Sequence, residues 1–328
     1  MLPAASLSHM GIFASGQAYE QLVLHLLAHP LPEARAYGEM ILAELEKVIP
    51  SFLARVRRPE RGGAWVEQLR ARRERALEVA ERLALRPGEA AAEPASVRLL
   101  EVDGDERRLL RALLAEEATV SESDVAAAVD RLGDTERSRL IAELVGARAN
   151  RRHRPGRGFE ALRYRFEVVS DYGAFRDLQR HRMLTVQWQE LTPLLGADVP
   201  EEVGLASCGA AYREALELSA RTWRELREAG HGAAAQYALC LAYRIRYVLD
   251  LNAREAMQLI ELRSGDQGHP SYRAVAQEMH RLVAGVHPAV AAAMTHVDLT
   301  TEPRLERLLA EMRTEARRTE LATGRYPS

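Results

Sequence analysis

Two stretches of this chain alternate apolar and polar residues, and that alternation limits the fold more than any other feature of the sequence. Leu162, Tyr164 and Phe166 are interleaved with Arg163, Arg165 and Glu167, and Ile245, Tyr247, Leu249 and Leu251 follow the same rhythm. A period of two places every second side chain on one face, so each stretch reads as a strand with one buried side. Each leads into helical spacing. The second strand is followed by a helix carrying Asn252 to Arg263 and then by one from Ser271 to Val286. Strands and helices in this arrangement predict an α+β fold.

The N-terminal part has only the helical period. Ala18 to Leu27 and Glu33 to Val48 carry apolar residues at helical spacing around Pro30 and Pro32, which predicts a helix pair. A charged amphipathic helix is expected from Trp65 to Leu85, then a linker around Pro87 to Pro94. Short helices are expected at Glu106 to Glu117 and at Glu122 to Leu132, the latter opened by Ser121 with Asp124 three residues on. The chain therefore divides into residues 1–58, a helical connector over 59–147, an α+β domain over 148–305 and a helical tail over 306–328.

Residues 18–27 also align with residues 253–262. His29-Pro30 then matches His269-Pro270, Gly38-Glu-Met40 matches Gln277-Glu-Met279, and the matched segments end near Pro50 and Pro288. This self-similarity suggests duplication of one unit, with residues 1–58 a truncated repeat of its C-terminal half. The apolar frame persists in both copies, whereas Arg254, Gln258 and Arg263 face Tyr19, Val23 and Ala28. Spaced four and five residues apart, those three polar residues are expected to line one cleft, a solvent-facing role being the alternative.

Composition narrows the chemistry. With 47% apolar residues, 28% charged and a net charge of −2, the profile is that of a soluble globular protein with no bulk attraction to nucleic acid or membrane. The longest apolar stretch, Ala233 to Leu251, is interrupted by Gln236, Arg244 and Arg246, so neither a membrane span nor a signal segment is expected and a cytoplasmic location follows. Cys208 and Cys240 lack CxxC spacing and fit a reducing interior.

Lys47 is the only lysine, which excludes a GxxxxGK phosphate loop and leaves anions to arginine, histidine or backbone. No GxGxxG opens a helix. His25 and His29 lack a third ligand, and the acidic turn at Glu101, Asp103 and Asp105 lacks the later glutamate of a calcium loop, so no metal site is expected. Arg148, Arg151, Arg152, His153, Arg154 and Arg157 make either a plain basic loop or an anion-binding edge. Trp188 either stacks on a base or belongs to a helix face or core.

Three ordered motifs carry a family resemblance: Phe159-Glu160, Arg180-His181-Arg182, and Leu251-Asn-Ala-Arg254 with Leu262-Arg263. From residue 159 to residue 290 the chain resembles the flavin-dependent thymidylate synthases. The resemblance implies an antiparallel sheet with packed helices, FAD as cofactor, methylenetetrahydrofolate and NADPH as co-substrates, dUMP or a related pyrimidine as substrate, and a homo-oligomer. It implies that Arg180, His181, Arg182, Arg254 and Gln258 hold the flavin. Arg263 is implied as the catalytic arginine that holds and polarises the base, with Arg176 and Glu190 beside the substrate. A guanidinium suits that role, since it bonds a base at two points and stabilises negative charge developing on it. His153 lies upstream of Phe159-Glu160, as a flavin-site histidine of the family does, at a different spacing.

The chain departs from the family where the nucleotide phosphate would sit. Glu190 and Thr192 replace a serine and an arginine, Gln236 replaces another arginine, and Gly268-His-Pro-Ser-Tyr272 replaces a His-x-Gln-x-Glu segment. A carboxylate about 4 Å from a phosphate costs of order 4 kcal/mol at an effective dielectric near 20, roughly a thousandfold in affinity. Two functions follow: an FAD-dependent methyl- or hydride-transferring enzyme with an altered substrate, or an inactive paralogue that binds flavin or nucleotide or serves assembly.

Overall fold

The computed structural model describes residues 2–85, 94–301, 311–316 and 318–319. Most of the expected linker at 87–94 and most of the expected tail at 306–328 lie outside the described residues. The chain forms two compact units, residues 1–91 with 201–240, and residues 92–200 with 241–328. Residues 201–240 fall inside the stretch expected to be one α+β domain, yet cluster with the N-terminal helices.

The second unit holds a four-stranded antiparallel sheet of β1 (Ser96–Asp103), β2 (Arg163–Asp171), β3 (Leu184–Trp188) and β4 (Arg244–Asn252), in the order β1-β2-β4-β3. The two alternating stretches of the sequence are the central pair, β2 and β4. Tyr164, Phe166 and Val168 of β2 are buried together with Ile245, Tyr247, Leu249 and Leu251 of β4. The α+β architecture expected from the sequence is the one observed. β1, however, is a strand inside the stretch expected to be a helical connector. It is an edge strand with its residues from Glu101 to Asp103 exposed, so it lacks the one-sided burial that makes a strand visible in sequence.

Both central strands turn directly into helices through an aspartate or asparagine cap. Asp171 Oδ1 accepts from Ala174 N at 2.9 Å and opens the Tyr172–Leu178 helix. Asn252 Oδ1 accepts from Glu255 N at 2.9 Å and opens the Ala253–Arg263 helix. Each cap satisfies a backbone donor that the first helical turn leaves open. The Pro270–Val286 helix covers the sheet with Val275, Ala276, Met279 and Val283, and Phe175 packs on Tyr247 with ring centroids 4.8 Å apart.

Tyr164 and Tyr247 are buried in this core, and desolvation raises both phenols. Each has a partner: Tyr247 shares a 3.0 Å hydrogen bond with Ser170, and Tyr164 a 2.8 Å one with His287 Nδ1.

The first unit is helical. Val23 and Leu24 of the Gly16–Ala28 helix, Leu42 of the Pro32–Leu45 helix, Leu53, Val56 and Val66 form its core. The Ala64–Arg82 and Gly209–Glu228 helices belong to the same unit. The first three helices follow an order also present in the second unit. Gly16–Ala28, Pro32–Leu45 and Pro50–Leu53 parallel Ala253–Arg263, Pro270–Val286 and Pro288–Ala293, the second and third of each set starting on proline. Among the described residues no helix is long and apolar enough to cross a membrane.

Candidate active site

The candidate site is built on the Ala253–Arg263 helix. Asn252, Arg254, Glu255, Met257, Gln258 and Glu261 line a cleft together with Arg148, Arg151, Arg154, Pro155, Glu160 and Met183. Four guanidiniums there meet three carboxylates, which leaves a surplus positive charge for an anionic ligand. Arg148 is matched by Glu261 and Arg254 by Glu160, whereas Arg151 and Arg154 make no ion pair among the described residues.

Glu160 is held by the short helical turn Arg157–Ala161, where the motif Phe159-Glu160 falls. Phe159 is fully buried and anchors the turn, while Glu160 reaches Arg254 Nη1 at 2.9 Å and Arg157 Nη2 at 3.2 Å. The Arg157 and Arg254 guanidiniums hold its carboxyl below the usual carboxylate range. Arg254 Nε is buried without a hydrogen-bond partner. The side chain of Gln258, one turn further along the helix, makes no hydrogen bond among the described residues. A buried donor without an acceptor costs about 1–3 kcal/mol, so a ligand that supplies one is favoured at this spot.

Arg263 does not line the cleft with Arg254 and Gln258, which corrects the expectation of a single lining. Nine residues separate it from Arg254, and at about 100° per residue that is half a turn of rotation around the helix. Its Nε donates to His181 Nε2 at 3.1 Å, its Nη1 lies 3.5 Å from Asp177 Oδ1, and its guanidinium sits 5.6 Å from the Tyr272 ring centroid. His181 in turn meets Glu255 Oε1 through Nδ1 at 2.9 Å. The His181, Glu255 and Arg263 side chains are 5%, 10% and 15% exposed, so this chain of contacts is largely shielded from water. Glu255 belongs to both groups, since it also lines the cleft.

The other residues implied by the resemblance lie outside the cleft lining, Arg180 sharing Asp177 Oδ1 with Arg263. Arg180 is exposed and lies 3.6 Å from Asp177, and Arg182 is exposed. Arg176 is half-buried on the Tyr172–Leu178 helix. Glu190 is exposed on the loop after β3, and Trp188 is 61% exposed near Phe175. The exposed His153 turns its ring to Asn150, with Nε2 and Nδ2 2.9 Å apart.

Two site residues were not found from sequence. Glu255 sits three residues after the cap Asn252, where a capping-box glutamate would turn back to the cap; its carboxylate meets His181 instead, across 74 residues of sequence. Glu261 looks like an ordinary helix position, yet it binds the buried Arg148.

The solved structure of the UMP/dUMP methylase PolB from Streptomyces cacaoi, bound with 5-Br dUMP, has a similar fold, with a TM-score of 0.50 and 17% identity over 64% of this chain and 98% of that one. Residues 100–289 match the family described as thymidylate synthase complementing protein, and the chain belongs to that family. A UPF0159 protein from Chlamydia muridarum is 35% identical over 320 residues, which is 96% of this chain and 59% of the relative. One from Thermoplasma acidophilum is 31% identical over 317 residues, 95% of this chain and 61% of the relative. The chain thus spans 59% to 61% of the length of these relatives.

Proposed function

We propose that this chain forms an FAD-dependent enzyme of the thymidylate synthase type that methylates a pyrimidine, working as a homo-oligomer. The observation that carries this reading is the cleft beside Arg254, whose buried Nε lacks an acceptor, with Gln258 open one turn away and a surplus of arginine around them. Those features fit a flavin, which offers ring acceptors and a diphosphate. When bound, FAD supplies the hydride that completes the methyl group, with the carbon coming from methylenetetrahydrofolate and the reducing power from NADPH.

The chain's own residues do the rest. Arg254 and Gln258 hold the cofactor, and Met183 and Met257 give the cleft apolar walls. Arg263, which lies off the cleft lining, is fixed through Nε by His181 and beside Asp177; its second terminal nitrogen is left to donate to a ring oxygen of a pyrimidine that reaches past Glu255, the residue shared by both groups. As negative charge develops on the ring, that fixed guanidinium stabilises it without reorganising. A pyrimidine nucleotide as ligand agrees with the UMP/dUMP methylase whose fold the chain shares.

Glu190 and Thr192, in place of the phosphate-seating serine and arginine, favour a substrate without a 5′-phosphate there. They also support the second reading, a paralogue that binds flavin or nucleotide without turnover. The repeated element order in the first unit supports reading residues 1–58 as a truncated copy of the C-terminal half.

The test is the visible spectrum of the purified chain after addition of FAD and desalting. Retained flavin in the wild type and its loss in Arg254→Ala are expected. No flavin in the wild type would overturn the enzymatic reading.

A further inference from the structure

We infer that Glu255 is a positioning residue that sets the tautomer of His181 and thereby aims Arg263; the functional meaning of that aim rests on the pyrimidine reading above. An arginine Nε carries a hydrogen and has no lone pair to offer, so it only donates. With Arg263 Nε 3.1 Å from His181 Nε2, that ring nitrogen must be the acceptor and carries no proton. The proton of the neutral ring is then on Nδ1, where Glu255 Oε1 accepts it at 2.9 Å. Which imidazole nitrogen holds the proton is decided by the partner of the other one. Without the carboxylate the Nδ1–H tautomer loses its acceptor, and the alternative tautomer turns an N–H towards the N–H of Arg263.

The same geometry explains why Arg263 is held in one orientation. Its remaining contacts are a 3.5 Å approach to Asp177 and the face of Tyr272, neither of which fixes the twist of the guanidinium as a hydrogen bond to Nε does. Glu255 is itself fixed because its backbone N–H is capped by Asn252. A line of support therefore runs from the end of β4 through Asn252, Glu255 and His181 to Arg263. Nothing in the sequence spacing marks Glu255 for this role, because its partner comes from the Arg180-His181-Arg182 segment far along the chain.

The test is histidine- and arginine-selective nitrogen NMR on the full chain. His181 is assigned by the signal lost in His181→Gln, and Arg263 Nε by the one lost in Arg263→Ala. The expected wild-type result is a His181 ring protonated on Nδ1 and bare on Nε2. Glu255→Gln keeps a carbonyl oxygen as acceptor and retains that pattern. Glu255→Ala loses it, and hydrogen exchange at Arg263 Nε speeds up about tenfold or more as its acceptor is released. A wild-type ring protonated on Nε2 overturns the inference, as does a Glu255→Ala protein with an unchanged His181 tautomer. The wild-type signals decide the tautomer by themselves even where Glu255→Ala does not fold. Titrating deoxyuridine and dUMP into the same samples tests the pyrimidine reading separately. Binding of neither overturns that reading, while the nitrogen signals still decide the role of Glu255.

Discussion

Arg148 and Glu261 meet in two parallel hydrogen bonds of 2.5 and 2.7 Å, with side chains 3% and 0% exposed. The same guanidinium donates to the carbonyl oxygens of His153 at 2.6 Å and Ala293 at 2.7 Å, and Glu261 also accepts from His296 N at 3.3 Å. The pair therefore fastens the arginine-rich segment to the helix that carries the site. A buried pair is most costly when only one partner is removed, because the other is left charged and dry.

Glu261→Ala and Arg148→Ala are each expected to lower stability by about 3–5 kcal/mol, whereas the double change Arg148→Met with Glu261→Leu should cost far less. Denaturant unfolding of the three variants checks this. Equal losses in single and double variants would contradict it.

Gly158 stands where the turn bearing Phe159-Glu160 touches the Glu106–Ala115 helix. A Cβ there would lie 2.6 Å from Leu113 N and 2.8 Å from the carbonyl carbon of Ala112, both backbone atoms with little room to move. Gly158→Ala is expected to destabilise by more than about 2 kcal/mol. It should also weaken flavin retention, since Glu160 pairs with Arg254 from this turn. A thermal shift measured alongside the flavin spectrum reads both effects.

His287 is buried, shares a hydrogen bond with Tyr164 through Nδ1, and donates from Nε2 to Gly104 O at 3.1 Å. Burial lowers its pKa below the ordinary 6.5, despite opposing contributions from Glu106, Gly104 and Asp105. The folded state thus binds this proton less readily than the unfolded chain. Its stabilising contribution is present above the ordinary value and is lost as pH falls through and below it. Unfolding free energy should decline on acidification below about pH 6.5, with a shallower slope in His287→Gln. An unchanged slope in that variant would contradict the assignment.

How much of this was legible in sequence depended on one-sided burial and short range. The central strands β2 and β4 and the helices at Gly16–Ala28, Ala253–Arg263 and Pro270–Val286 showed because each has one buried face. The edge strand β1 is mostly exposed on both faces, and β3 spans only Leu184–Trp188, so neither produced a clear period. Arg254, Gln258 and Arg263 were recognised from motif and spacing, but rotation around the helix separates the first from the last. Glu255 and Glu261 were missed because their partners lie 74 and 113 residues away, beyond what any local pattern encodes.

Arg263→Lys is expected to weaken binding of the pyrimidine by roughly ten- to a hundredfold, because an ammonium has no planar Nε–H for His181 and no paired donors for a ring. The side chain is 15% exposed and bonded to His181, so a thermal unfolding curve of the lysine variant is the control for folding. Calorimetric titration of deoxyuridine and dUMP into both proteins decides it, and wild-type affinity in the lysine variant would contradict the assigned role.

The most direct test of the central claim is release of tritium from C5 of labelled deoxyuridine and dUMP, with FAD, NADPH and methylenetetrahydrofolate supplied to the purified chain. The account predicts release from at least one of the two pyrimidines that depends on FAD and disappears in Arg263→Ala. Flavin retained by the wild-type protein with no release from either substrate would contradict an enzymatic role on these pyrimidines and favour the binding paralogue.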